Sequence, residues 1–215
     1  MFVDKYRPIK VSEMILTSEV KKLITGIKKK KTVPNMIFHG GAGTGKTTLA
    51  RALCNDMNIE VLELNASLDN SIDNVRKEVM NFSTTVSLTS QQKVILLDES
   101  DNMSHQMQKA LRGVIEKVSN NCRFIFTANF VERLLEPIQS RCTLVEFKIA
   151  DDKRVEKSVL NHCVTILKKE KIKFKQDDLL KHVQHYLPDI RKVVAQLEMS
   201  SNSGSFVFDG KTTAV

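Results

Sequence analysis

The sequence predicts an α/β protein: a parallel sheet flanked by helices, followed by a small three-helix domain. Three observations carry that reading. Short apolar runs recur up to Phe147, longer amphipathic stretches separate them, and beyond Phe147 the amphipathic stretches continue without such runs. Strand-length segments apolar on both faces, alternating with crossover helices, are the pattern of a buried parallel sheet.

The runs are NMIFH ending at His39, IEVLEL at Leu64, KVILLD at Asp98, RFIFTA at Ala128 and TLVEF at Phe147. Between them, Lys46–Asp56, Ile72–Phe82 and Ser104–Val118 carry apolar residues at spacings of three and four, which predicts one apolar face on each helix. The stretch from Ala150 to Ile172 opens with acidic residues and closes with lysines, as a helix dipole favours. Further helices are expected from about Asp177 and from Asp189. The division is therefore 1–149 for the α/β core, 150–200 for a helical lid and 201–215 for a linker or the truncated start of a further domain, Ser200–Gly204 being a polar stretch. The run Lys28–Lys31 reads as a solvated loop before the first core strand, with a polyanion-facing run as the alternative.

The 215 residues carry 33 basic and 25 acidic side chains, a net charge of +8, which permits a polyanionic partner without requiring one. A hydrophobic content of 41% excludes a disordered chain. No apolar run approaches the roughly 18–20 residues of a membrane helix, and the charged start Met1–Pro8 has no signal-peptide core, so a cytoplasmic location is expected. Cys54, Cys122, Cys142 and Cys163 are widely spaced and mark neither a zinc site nor a disulfide framework. His162, His182 and His185 lie in helices without ligand spacing and read as surface or half-buried residues.

Gly40-x-x-x-x-Gly45-Lys46-Thr47 is a P-loop pattern set between an apolar strand and a helix. Its glycines let backbone N–H groups turn toward phosphate oxygens, and the helix that follows points its positive end at them. Lys46 supplies a charge for the β- and γ-phosphates and Thr47 a hydroxyl for Mg²⁺, so ATP and Mg²⁺ are the expected ligands. KVILLDES ends a strand in Asp98 and Glu99. Asp98 is placed to reach the metal and Glu99 to orient or deprotonate an attacking water.

With these motifs the chain resembles the AAA+ clamp-loader ATPase subunits, and within them the large subunits of T-even-type bacteriophages. The likeness rests on KYRP (Lys5–Pro8), GTGKTT (Gly43, Thr44, Gly45, Lys46, Thr47, Thr48), NAS with IDNVR (Asn65–Ser67, Ile72–Arg76) and LLDESD (Leu96–Asp101). It continues through QKALRGVIE (Gln108–Glu116), ANF (Ala128–Phe130), EPIQSRC (Glu136–Cys142) and PDIRK (Pro188–Lys192).

That resemblance implies that Lys5, Tyr6 and Ile15 line an adenine pocket. It implies that Asn129 is a sensor of the γ-phosphate or attacking water, and that Arg141 is an arginine finger for a neighbouring subunit. Arg191 would be a second sensor reaching from the lid. Asn70, Ser71, Ile72 and Arg76 would lie near template-strand phosphates, although Ser71 stands where many relatives have a basic residue. The helix with Gln108, Ala110 and Arg112 would link neighbouring sites. The implied partners are a sliding clamp, other subunits in a hetero-oligomeric ring (a pentamer by resemblance) and primer–template DNA. The implied function is ATP-driven opening and loading of the clamp. A branch-migration ATPase and a non-hydrolysing scaffold are the competing readings. The family also carries a helical collar after the lid, so the chain is expected to be a fragment, cytoplasmic in the host cell if viral.

Overall fold

The structure, a computed structural model, describes residues 1–67, 72–85, 92–149, 152–201, 204–208 and 210. Five strands, β1 (Met36–His39), β2 (Glu60–Asn65), β3 (Lys93–Asp98), β4 (Cys122–Ala128) and β5 (Thr143–Glu146), form one sheet in the order β2-β3-β4-β1-β5. Every pairing in it is parallel, as the two-sided apolar runs require. Alternation along each strand divides the core. Ile37, Ile95, Leu97, Phe124 and Phe126 pack on one face beneath α4 (Ile72–Thr84) and α5 (His105–Val118). Met36, Phe38, Val94, Leu96 and Ile125 pack on the other beneath α2 (Ser18–Lys30) and α3 (Lys46–Asp56). The register sets His39 beside Ala128 and Leu97 beside Phe126, which brings the segments leaving β1, β3 and β4 to one sheet edge. In open α/β sheets that carboxyl edge is where ligands bind.

The Lys28–Lys31 reading is corrected. Lys28, Lys29 and Lys30 form the last turn of α2, and Lys31 closes it in the left-handed region at φ 53°. Thr17 caps the helix by accepting from the Val20 N–H at 3.4 Å, and Val20, Ile24 and Ile27 form its buried stripe. Lysines in a last turn suit the helix dipole, and Lys28 is already paired with Asp56 at 2.6 Å.

The helices α7 (Lys153–Lys169), α8 (Gln176–Tyr186) and α9 (Ile190–Met199) enclose a third core. Phe2, Val3, Tyr6 and Ile15 pack against it too, because α1 (Phe2–Lys5) lies on α9 and the Phe2 N–H donates to Glu198 at 2.8 Å. The N-terminus thus joins the sheet core to the lid. Phe206 is buried in the lid core, and its N–H donates to the Lys173 carbonyl at 2.7 Å.

The surface or half-buried reading of His182 is wrong: the ring is fully buried. Its Nε2 lies 2.9 Å from the Val193 carbonyl while Nδ1 has no partner among the described residues, and the rings of Tyr186, Phe206 and Phe208 surround it. Burial, with some help from the His185 charge, holds its pKa below the usual 6.5, against the Val193 bond. The unfolded chain then takes up the proton more readily, so this contribution to stability is complete above that value and lost below it. Thermal melts are expected to lose stability as pH falls from 7 to 5, and to lose less in His182→Gln, whose amide reaches the Nε2 position that meets Val193.

Candidate active site

A cavity of about 510 Å³ opens between the carboxyl edge of the sheet, the N-terminal segment and the lid helices α7 and α9. That is the size of a small-ligand site. Its floor is the loop between β1 and α3. Gly45 caps α3 at φ 97° and Gly43 adopts φ 69°, conformations that favour glycine and turn the loop amides toward the space in front of the helix.

Lys46 is nearly buried at the start of α3. Its ammonium donates to the carbonyls of Gly40 and Gly41, both at 2.8 Å, and to Asn129 Oδ1 at 2.9 Å. Burial holds its pKa below the usual lysine value and Arg191 adds to that, while Asp101 and Asp98 oppose it. Thr47 Oγ1 donates to Asp98 Oδ1 at 2.7 Å, and the Thr127 hydroxyl donates to the same oxygen. Glu99 follows in the left-handed region at φ 55°, where its N–H donates to Thr127 Oγ1 at 3.1 Å. Its Oε2 lies 2.8 Å from Ser67 Oγ, which is also 2.6 Å from Asn65 Oδ1. One hydroxyl proton serves only one of those acceptors at a time.

Gly43, Thr44, Gly45, Lys46, Thr47, Thr48, Asp98, Glu99, Asn129, Tyr6, Ile15 and Arg191 therefore all line one cavity. The backbone N–H of Arg191 donates to the Gly43 carbonyl at 3.3 Å, which joins the start of α9 to the loop.

Lys5 is the exception among the residues expected to line the pocket. It lies outside the cavity wall and pairs with Glu170 of the lid at 2.6 Å, the acceptor that Tyr6 also uses. Arg141 stands away from the cavity. It donates to the Pro137 carbonyl at 2.7 Å and pairs with Glu116 of α5 at 2.6 Å. Asn70 and Ser71 lie outside the described residues. Ile72 begins α4 and packs partly against the sheet core, and Arg76 is exposed one turn on. Gln108 is buried, donating to the carbonyls of Met103 and Arg133 and accepting from the Leu135 N–H at 2.7 Å. It fastens α5 to the segment leading into α6 (Glu136–Gln139).

Sequence reasoning missed Arg7, Asp101, Thr127 and His162, which line the same cavity. Arg7 belongs to the quoted KYRP stretch and Asp101 to LLDESD; Thr127 and His162 have no local signal, because only the fold brings them there. Asp101 is nearly buried, with Oδ1 unpartnered among the described residues. Cys142 packs rather than reacts, its thiol pushed up to about 12 by burial.

For the metal, Thr47 and Asp98 present a hydroxyl and a carboxylate already in contact. Such hard oxygen donors fit Mg²⁺, which is held by one or two protein ligands together with substrate phosphates. Among the described residues there is no cluster of three or more His, Cys, Asp or Glu able to cage a metal by itself, and no helix is long and apolar enough to cross a membrane.

Among curated proteins, the chain is 35% identical over 213 residues to the replication factor C small subunit of Archaeoglobus fulgidus, covering 96% of this chain and 66% of that protein. It is 36% identical over 207 residues to the sliding-clamp-loader large subunit of Enterobacteria phage T4, covering 94% of this chain and 65% of that one. The chain thus spans just under two thirds of these relatives' length. In fold it is similar to the Thermotoga maritima RuvB Holliday junction branch migration motor, with a TM-score of 0.74 at 15% identity, covering 92% of this chain and 65% of that one. Residues 36–149, from the first core strand to the edge of the lid, match the model of the "ATPase family associated with various cellular activities (AAA)". The P-loop, the paired carboxylates and the five-stranded parallel sheet agree with that match, and the chain belongs to the AAA family.

Proposed function

We propose that the chain is an ATP-hydrolysing subunit of a sliding-clamp loader, working with partner subunits, a clamp and primer–template DNA. The observation that carries the reading is the meeting of Lys46, Thr47, Asp98, Glu99 and Asn129 with the lid residue Arg191 around one cavity, while Arg141 faces away from it. The names of the relatives point the same way. The RuvB likeness supports only the fold, so the branch-migration alternative draws nothing specific from it.

On this reading 1–149 is the ATPase core and 150–200 the lid. The loop amides and Lys46 hold the triphosphate. Mg²⁺, with Thr47 and Asp98 as its protein ligands, would supply charge neutralisation at the phosphates. Glu99 takes the proton from the attacking water, and Asn129 orients that water or the γ-phosphate. Lys46 must exchange at least one of its present acceptors for phosphate oxygens, and Asn129, one of those acceptors, registers the exchange. Arg141 serves a neighbouring subunit's site, where an arginine supplied in trans is worth roughly 10³–10⁵ in rate in other NTPases. DNA phosphates would meet the start of α4, near Asn70, Ser71, Ile72 and Arg76. Since α4 follows β2 and Ser67, the segment that approaches DNA is continuous with the one holding Glu99.

Steady-state ATP turnover of the protein assembled with its partner subunits tests the proposal. Clamp and primed DNA added together are expected to raise turnover by at least about tenfold, a small part of what an arginine in trans can supply. Turnover indifferent to both would overturn it. Stimulation by four-way junctions instead would favour the branch-migration reading.

A further inference from the structure

The KYRP stretch contributes one side chain that the roles above leave unused. Arg7 lies in the cavity wall, half-buried, next to Tyr6 in the chain and against Thr48 in the first turn of α3. Its Nε donates to Thr48 Oγ1 at 3.2 Å, which fixes the plane of the guanidinium. Among the described residues Arg7 forms no ion pair; Arg51, its cationic neighbour, already has Glu63 as a partner. Burial and the charges of Arg51 and Arg191 disfavour the protonated form of Arg7, with Glu63 and Asp98 giving only partial relief. A half-buried guanidinium among cations, with its two terminal nitrogens unpaired among the described residues, is costly unless an anion joins it.

We propose that Arg7 is a phosphate ligand of the nucleotide, holding the phosphate nearest the nucleoside. The loop amides and Lys46 provide for the β- and γ-phosphates from the other side. Arg7 adds a fork from the N-terminal segment, and its two terminal nitrogens, without partners among the described residues, match a bidentate phosphate contact. The position follows from its neighbours, since Tyr6 and Ile15 line the cavity on its own segment and Thr48 is the last of the loop-helix residues in the wall. This segment also packs on the lid core through Phe2, Val3 and Tyr6. Arg7 therefore ties the bound phosphates to the joint between core and lid. The inference rests on the site being a nucleoside-triphosphate site.

The test is equilibrium titration of the full chain with fluorescent ADP and ATP, at several salt concentrations, for wild type, Arg7→Ala and Arg7→Lys. In Arg7→Ala the affinities for ADP and ATP are expected to fall together, by about tenfold or more, as for the loss of a charge-assisted contact. The salt dependence of binding becomes shallower, Arg7→Lys recovers part of the loss, and apo melting temperatures stay close to wild type. A loss confined to ATP would place the contact on the γ-phosphate and overturn the assignment. Unchanged affinity would overturn the contact itself. A loss accompanied by an unchanged salt dependence, or by a lowered apo melting temperature that Arg7→Lys does not restore, would make Arg7 structural. Failure of the wild type to bind either nucleotide would instead remove the functional reading on which the inference stands.

Discussion

Glu99→Gln is expected to lower ATP turnover by about 10²–10⁴-fold while nucleotide affinity stays within about threefold, the range for removal of a general base. The amide keeps the size and hydrogen-bonding reach of the carboxylate but cannot take a proton from water. Affinity is spared because the phosphate contacts belong to the loop, Lys46 and Thr47, and Asp98 keeps its bonds from Thr47 and Thr127. The structure adds a second arm. Glu99 is engaged by Ser67 at 2.8 Å, a contact that ties up one of its oxygens. Ser67→Ala is therefore expected to raise the basal turnover of the chain without DNA, and to have no such effect in the Glu99→Gln background. Single-turnover hydrolysis and fluorescent-nucleotide titration on the same samples separate the two quantities. Unchanged turnover in Glu99→Gln would remove Glu99 from the chemistry.

Gly43→Ala is expected to weaken nucleotide binding by about 30-fold or more, at a cost of about 2 kcal/mol. At φ 69° a Cβ is strained in itself, by roughly 1–2 kcal/mol. The Cβ would also meet Asp189 Oδ1 at 1.7 Å. A side-chain end can ordinarily step aside, but Asp189 caps α9 by accepting from the Lys192 N–H at 2.8 Å. Moving it sacrifices the cap, worth about 1 kcal/mol. It also disturbs the bond from Arg191 N–H to the Gly43 carbonyl. The substitution thus strikes the phosphate loop and the lid at one point. Titration and thermal melts measure it, and Gly43→Ala combined with Asp189→Ser, which shortens the cap but keeps an acceptor, should recover part of the affinity. Wild-type binding by the single variant would show that the lid does not rest on Gly43 when nucleotide is bound.

Legibility in the sequence followed the range of the interactions involved. All five strands were visible: β1, β3 and β4 are buried along nearly their whole length and so are apolar throughout, while the edge strands β2 and β5, the latter burying only Val145, still read as short apolar runs between helices. The helix α3 was readable to its bounds, Lys46–Asp56, because the glycine that caps it is part of the phosphate loop. The helix α2 was not. Five lysines and Gly26 mask its stripe of Val20, Ile24 and Ile27, whose burial depends on a sheet face assembled from distant strands. The resemblance placed Lys5 in the pocket together with Tyr6, yet in a helical turn adjacent side chains point about 100° apart, and Lys5 turns to Glu170 instead. His182 could not be recognised as buried, since its shielding comes from Phe206 and Phe208, beyond the helices that carry it.

The sequence by itself determined the phosphate loop, the carboxylate pair that follows β3, and the alternation of strand and helix that carries them to one sheet edge. These are local: a glycine at a fixed offset, or an apolar run ending in two acids, has the same conformational meaning wherever the chain is read. Only the tertiary structure decided which other side chains meet the loop. Arg7, Asp101, Thr127 and His162 reach the cavity from separate segments, and Asp189 touches Gly43 across 146 positions of chain. Arg141 is turned away, onto Glu116. Such meetings depend on how the sheet core, the N-terminal segment and the lid pack together. Each packed face can be met by many sequences, so no spacing in one of them records its partner.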